Sequence, residues 1–183
     1  MGSGHRVIGA FRLVDAAMSP LASSLRIGIA ALLLAAGGPW RVPSAFRFEP
    51  NARPELQRLW EASLSAKAER VGCLAGSIDG DTVRISRVLP LDVGASDSLG
   101  VSAAASLDTC GPPSWRGTVH THIALRDGRR PYSLFSGADR GIMMLWWQRW
   151  REDGIFCLLY SAEEVICEIE GPQGAVLFPR SHY

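Results

Sequence analysis

Apolar positions along this chain follow two periods, one typical of helices and one typical of strands. Apolar residues at 56, 59, 60 and 64 lie three or four positions apart, as do those at 143, 146, 147 and 150. Each set would cover one face of a helix, the first beginning near Pro54 and the second spanning about 138–152. Runs of strand length and composition occur at 71–78, 82–91, 117–125, 155–160, 164–170 and 175–178.

Turn signals separate these segments. Asp79-Gly80 is typical of a β-hairpin between the first two predicted strands, and Asp153-Gly154 ends the second helix. The small, polar segment 93–113 is expected to be a loop with a short helix near 102–107. This order of elements predicts a fold of the α/β (α+β) class, a single domain over residues 51–183 with a mixed β-sheet flanked by helices.

Residues 1–50 form an N-terminal extension ahead of this domain, with an apolar segment at 25–38. The uncharged part of that segment, 27–38, is too short to span a bilayer, which takes about 20 residues. Three interpretations stay open: a helix packed on the domain or a partner, a signal peptide or membrane anchor starting from Met18, and a disordered extension. The second would make the protein membrane-associated or exported.

Composition is that of an ordinary globular protein. Hydrophobic residues make up 47% and charged residues 20%, and the net charge of +1 gives no electrostatic reason to expect nucleic acid as a partner. No C-x-x-C pair occurs among the four cysteines, which are Cys73, Cys110, Cys157 and Cys167. We expect buried free thiols, with a Cys157–Cys167 disulfide as the alternative, and a cytoplasmic location by default.

Two histidines lie two positions apart in the predicted strand 117–125. Residues i and i+2 of a strand point to the same side, so the imidazoles of His120 and His122 would be neighbours. A catalytic zinc site has three protein ligands and leaves a fourth position open for water. The pair therefore predicts a metal site that needs one further ligand, such as a carboxylate.

Glu69 before a strand, His120-x-His122 and Ser136-x-x-Asp139 occur in this order within the region 54–179. The pattern resembles the motif of the JAMM (MPN+, JAB domain) zinc metallopeptidase family. This resemblance implies a Zn²⁺ ion bound by His120, His122 and Asp139. It also implies that Glu69 is the catalytic general base and that Ser136 donates a hydrogen bond to the developing oxyanion.

The resemblance further implies a hydrolase that cleaves an amide or isopeptide bond in a protein or peptide substrate. Such substrates include the C-terminal tails of ubiquitin-like and sulfur-carrier proteins. The sequence departs from the family in two places: Ile123 stands where a proline is usual, and the sixteen residues 123–138 make a longer spacing than usual. These departures leave an alternative, a catalytically inactive MPN-like structural or scaffold subunit of a larger, membrane-associated complex.

Each candidate residue also has an ordinary structural explanation. Ser136 and Asp139 match a capping box at the start of the second predicted helix. Glu69 is also consistent with a solvated charge at a helix end. Asp127, in a turn-like Arg-Asp-Gly segment, is a rival third ligand.

Overall fold

The computed structural model describes residues 43–92, 103–125, 128–129, 131–171, 176–177 and 181–183, with the backbone alone at 103–105, 176–177 and 181–182. The apolar segment 25–38 and the rival ligand Asp127 lie outside the described residues. Within the described part of the chain, no helix is both long and apolar enough to cross a membrane.

A mixed sheet of eight strands forms the centre of the described domain. The strands are β1 (Ala45–Phe48), β2 (Val71–Asp79), β3 (Thr82–Pro90), β4 (Gly117–Thr121), β5 (Gly154–Leu159), β6 (Glu164–Glu170), β7 (Val176–Leu177) and β8 (Ser181–His182). They are hydrogen-bonded in the order β1-β3-β2-β4-β5-β6-β7, and β8 also pairs with β6. The pairs β1–β3 and β4–β5 are parallel, and the remaining pairs are antiparallel.

Three helices are described: α1 (Arg53–Ala66), α2 (Ala103–Thr109) and α3 (Gly137–Trp150). Apolar residues of α1 belong to one buried cluster, and those of α3 belong to another. β5 is buried at all six positions, and its residues alternate between the two clusters, as Cys157 and Leu158 do. A strand covered on both faces needs apolar side chains throughout, which explains the continuous apolar sequence of β5. We call the two sides of the sheet the α1 face and the α3 face.

The predicted fold class is confirmed, and most elements form close to their predicted bounds. Leu64 does not fit the predicted apolar face of α1. It is 51% exposed, and Ser63 is buried instead. The predicted strand 117–125 ends at Thr121, so His122 follows the strand. β1 precedes the predicted domain boundary at residue 51 and pairs with β3, so the sheet includes residues 45–48.

The prediction of free thiols is wrong, because all four cysteines form disulfides within the described domain. Cys73 of β2 is bonded to Cys110, which directly follows α2, and this bond ties the short helix to the sheet. Cys157 and Cys167 face each other across β5 and β6 with a Cα–Cα distance of 4.1 Å, so the alternative disulfide is confirmed. All four residues are buried.

Candidate metal centre

The side chains of His120, His122 and Asp139 meet beside the end of β4. The Nε2 atoms of the two histidines are 3.2 Å apart. Asp139 Oδ1 lies 3.2 Å from His120 Nε2, and Asp139 Oδ2 lies 3.6 Å from His122 Nε2. The fold therefore brings the three predicted ligands together despite the long segment that separates His122 from Asp139 in sequence.

β4 and its neighbours position the two histidines. His120 lies within the strand, opposite Val71 of β2 and Leu158 of β5. Beyond the last strand residue, the backbone N–H of His122 donates to the carbonyl oxygen of Leu159 at 2.8 Å. The pairing with β5 thus continues past the assigned end of β4, and the two imidazoles lie side by side as the i, i+2 spacing predicted.

A backbone carbonyl orients the His122 ring. His122 Nδ1 lies 3.0 Å from the carbonyl oxygen of Tyr132, an atom that can only accept a hydrogen bond. Nδ1 therefore carries a proton and donates it, which leaves Nε2 as the ligating nitrogen on the side of Asp139. Metal-binding histidines commonly use their second nitrogen in this way. The Tyr132 contact was not predicted, because a carbonyl acceptor has no signature in the sequence.

Asp139 serves the helix start and the candidate site at once. Its Oδ2 accepts from the backbone N–H of Ser136 at 2.6 Å, while its own N–H donates to Ser136 Oγ at 3.2 Å. This is a complete capping box at the start of α3, as the sequence predicted. The other oxygen, Oδ1, is the one nearest His120. The capping explanation and the ligand explanation are therefore compatible, because they rest mainly on different oxygens.

Electrostatics at the site favour a deprotonated aspartate and a positive neighbour. Burial alone would raise the pKa of Asp139, but hydrogen bonds with His120 and His122 outweigh it and hold that pKa well below its usual range. Burial alone would lower the pKa of His122, but the hydrogen bond with Asp139 and the charge of Glu69 raise it above its ordinary value. An environment that attracts a proton to His122 also attracts a metal cation.

Glu69 is buried rather than solvated. Glu69 is only 5% exposed, and its Oε1 atom lies 3.9 Å from His122 Nε2. α1 ends when Lys67 adopts a left-handed conformation, with φ of 52°, and the chain then turns through Ala68 into β2. Glu69 occupies this turn two residues before β2, and its carboxylate lies beside His122 at the end of β4, so the interpretation as a solvated helix-end charge is wrong.

Two buried hydroxyl groups tie this turn to the histidine strand. Ser63 Oγ lies 2.6 Å from Thr121 Oγ1 and donates to the carbonyl oxygen of Ala68 at 2.5 Å. Thr121 Oγ1 accepts from the backbone N–H of Arg70 at 2.8 Å. The network connects the residues on either side of Glu69 to the residue between the two histidines. It fixes the separation between the candidate base and the candidate ligands, and it was not predicted because Ser63 and Thr121 are far apart in sequence.

Replacing Thr121, which is fully buried, by valine should lower the free energy of unfolding by about 1–3 kcal/mol, because the partly buried N–H of Arg70 would lose its acceptor to a side chain of nearly the same shape. Urea denaturation of the purified variant measures this loss. Thr82→Val is the matched control, because the Thr82 hydroxyl bonds to Asp81 at an exposed position. An equal, small effect of the two substitutions would contradict the role of the network.

The donor set fits a divalent metal ion. In a tetrahedral site with bonds of about 2.0–2.1 Å, neighbouring ligand atoms lie about 3.3 Å apart. His120 Nε2 lies 3.2 Å from both His122 Nε2 and Asp139 Oδ1, close to this value, and one ligand atom from each of the three residues lies within 4.8 Å of the others. Two imidazole nitrogens and a carboxylate oxygen suit zinc and also several other first-row ions. The group is therefore a candidate metal site whose geometry does not select one metal.

Ser136 and Arg140 flank Asp139 in different ways. Ser136 is exposed at the start of α3, and its Oγ acts as an acceptor in the cap, so its hydroxyl proton is not used there. Arg140 donates to both carboxylate oxygens of the buried Glu168 on β6, each at 2.9 Å. This pair holds the first turn of α3 against the sheet, next to Asp139. The sequence feature that could have predicted this ion pair is the acidic residue Glu168 within the largely apolar strand β6.

Comparisons with known proteins add little to this geometry. No family model and no curated protein matches the sequence. Among solved structures, the chain matches the solution structure of protein DSY2949 from Desulfitobacterium hafniense at 17% identity and a TM-score of 0.44, over 73% of this chain and 88% of that one. A likeness this distant carries no information about chemistry, which has to be inferred from the side chains themselves.

Proposed function

We propose that this domain is a zinc-dependent peptidase or isopeptidase that hydrolyses an amide bond of a protein or peptide substrate. The observation that carries the proposal is the close group of His120, His122 and Asp139 with a second, buried carboxylate beside it. A capping box explains Asp139, but it does not explain two adjacent imidazoles that both approach Asp139, one of which also approaches Glu69. A metal site with a neighbouring general base explains all four side chains.

Each residue has a distinct task in this reaction. His120, His122 and Asp139 would hold the zinc ion, which when bound lowers the pKa of water toward neutrality and polarises a carbonyl oxygen. Glu69 Oε1 would take a proton from the attacking water and pass it to the leaving amine. Ser136 Oγ would donate its proton to the developing oxyanion, a contribution of about 3 kcal/mol for one such donor.

The substrate class follows from the same resemblance that suggested the reaction. Members of the JAMM family act on flexible tails of ubiquitin-like and sulfur-carrier proteins, and we propose an extended peptide segment of this kind as the substrate. An extended segment brings its amide bond to a surface site without unfolding a domain. In the alternative, a scaffold subunit, a buried base beside a group of metal ligands would have no role.

We also propose that the domain works in an oxidising compartment. The cytoplasmic prediction rested on free thiols, whereas all four cysteines form disulfides. Disulfides persist mainly in secreted and periplasmic environments and are rare in reducing ones. Among the interpretations of the apolar segment 25–38, this favours the one in which it directs export.

Metal content measures the proposal directly. Wild-type protein loaded with zinc and freed of excess should retain about one equivalent, whereas Asp139→Ala should retain at least tenfold less at the same free zinc concentration, because one of three ligands is lost. Asp108→Ala is the matched control, because the Asp108 side chain is 65% exposed and forms an ion pair with Arg149, whose side chain is also exposed. A folded wild type that binds no zinc would favour the scaffold.

A further inference from the structure

A small cavity adjoins the candidate metal centre on the α3 face of the sheet. It has a volume of about 50 Å³, and Glu69, His120 and Asp139 are among the residues that line it. Five apolar side chains from β2, β5, α3 and the segment before α3 also line it, together with Ser106 and Thr118: Val71, Phe135, Ile142, Met143 and Phe156. The lining thus combines the groups that would contact the reacting amide bond with apolar side chains that suit hydrocarbon.

The volume limits what the cavity can hold. A single water needs about 10–15 Å³ of space measured in this way, so about 50 Å³ accommodates roughly three to four non-hydrogen atoms. The side chains of alanine and valine are within this limit, whereas phenylalanine and tryptophan are far above it. His120 and Ile142 are only partly buried, so the cavity is reachable from the surface.

Two features keep the cavity small. Met143 is only 2% exposed and belongs to the packed core of the α3 face. The cavity therefore cannot widen at Met143 without disturbing the core. Ser106 of α2 forms another part of the wall, and α2 is fixed to β2 by the Cys73–Cys110 disulfide. A rigid wall allows a cavity to discriminate by size, because a larger group cannot be admitted by local adjustment.

We propose that this cavity is a specificity pocket for a small aliphatic side chain, of up to about three carbon atoms, on the substrate residue next to the hydrolysed bond. The proposal rests on the proposed function, since it assumes that the amide bond lies beside Glu69, His120 and Asp139. Residues with a side chain of alanine or valine size are preferred at that position, and aromatic residues are excluded by volume. Each buried methylene group strengthens binding about fourfold until the space is full.

Binding of straight-chain alkyl hydroxamates to the zinc-loaded protein tests the pocket without measuring turnover. Calorimetric affinity should rise about fourfold per carbon up to a chain of about three carbons and then fall. Ile142→Ala should move the maximum to a chain one or two carbons longer. Ile78→Ala is the matched control, because Ile78 is also partly buried but does not line the cavity, and it should leave the maximum unchanged. Affinity that climbs steadily to eight carbons would overturn the proposal.

A second measurement does not depend on metal and separates the two proposals. Metal-free protein carrying ¹³C-labelled methionine methyl groups is titrated with 1-propanol and then with 1-hexanol. Propanol should shift the Met143 methyl resonance at least threefold more than that of Met144, which is 53% exposed on the same helix, and hexanol should not. Loss of zinc binding with this selective shift retained would reject the hydrolase alone. Equal shifts for Met143 and Met144, or for both alcohols, would reject the pocket.

Discussion

Replacing Glu69 by glutamine should reduce the rate of the proposed hydrolysis by a factor of about 10²–10⁴ and leave zinc content unchanged. Glutamine keeps the shape of the side chain but cannot take a proton from water at neutral pH. Glu69 Oε1 lies 3.9 Å from His122 Nε2, farther than the 3.2 Å that separates His120 Nε2 from His122 Nε2 and from Asp139 Oδ1, which fits a base better than a ligand. Zinc content and kcat on a fluorogenic peptide are measured on the same preparation, so that metal loss and loss of chemistry are told apart.

Glu61→Gln provides the matched control for this substitution. Glu61 lies on the exposed side of α1, a short distance before Glu69 in sequence, and its replacement should change the rate less than twofold. Loss of zinc in Glu69→Gln would make Glu69 a ligand instead of a base. Full activity with full zinc content would remove it from the mechanism and require another proton acceptor.

The sequence predicted the members of this site but not the contacts that hold them. The i, i+2 spacing of His120 and His122 fixes the relative orientation of their rings locally. The two rings are therefore neighbours even though β4 ends between them. The Ser136–Asp139 capping box is also local, because it depends on four consecutive residues. In contrast, the Ser63–Thr121 hydroxyl pair joins two segments that are distant in the chain, and only the packed fold brings them to 2.6 Å.

The cysteines show the same division between local and distant information. β5 and β6 pair so that Cys157 and Cys167 are equally far from the turn between them, which makes their meeting predictable once the hairpin register is known. Cys73 and Cys110 are separated by 37 positions in the sequence. Their contact depends on where α2 docks, and hydrophobic periodicity does not specify that. This is why the free-thiol prediction was wrong.

Removing the Cys73–Cys110 disulfide should lower the free energy of unfolding by about 4 kcal/mol, and removing Cys157–Cys167 by about 3 kcal/mol. In the chain-entropy treatment a cross-link stabilises by restricting the unfolded chain, and the effect grows slowly with the enclosed length. The sequence separations are 37 and 10 residues, which sets this order. Urea denaturation of the two paired alanine variants, each compared with wild type under non-reducing conditions, measures both losses.

The two disulfides also act as controls for each other, because the Cys73–Cys110 pair belongs to the core of the α3 face and the Cys157–Cys167 pair to that of the α1 face. Only the first fixes α2, whose Ser106 lines the cavity beside the candidate metal centre. Its removal should therefore weaken the size selectivity for alkyl hydroxamates in protein that is still folded, whereas removal of the second should cost stability alone. Equal selectivity in both variants would show that α2 keeps its place by packing, without help from the cross-link.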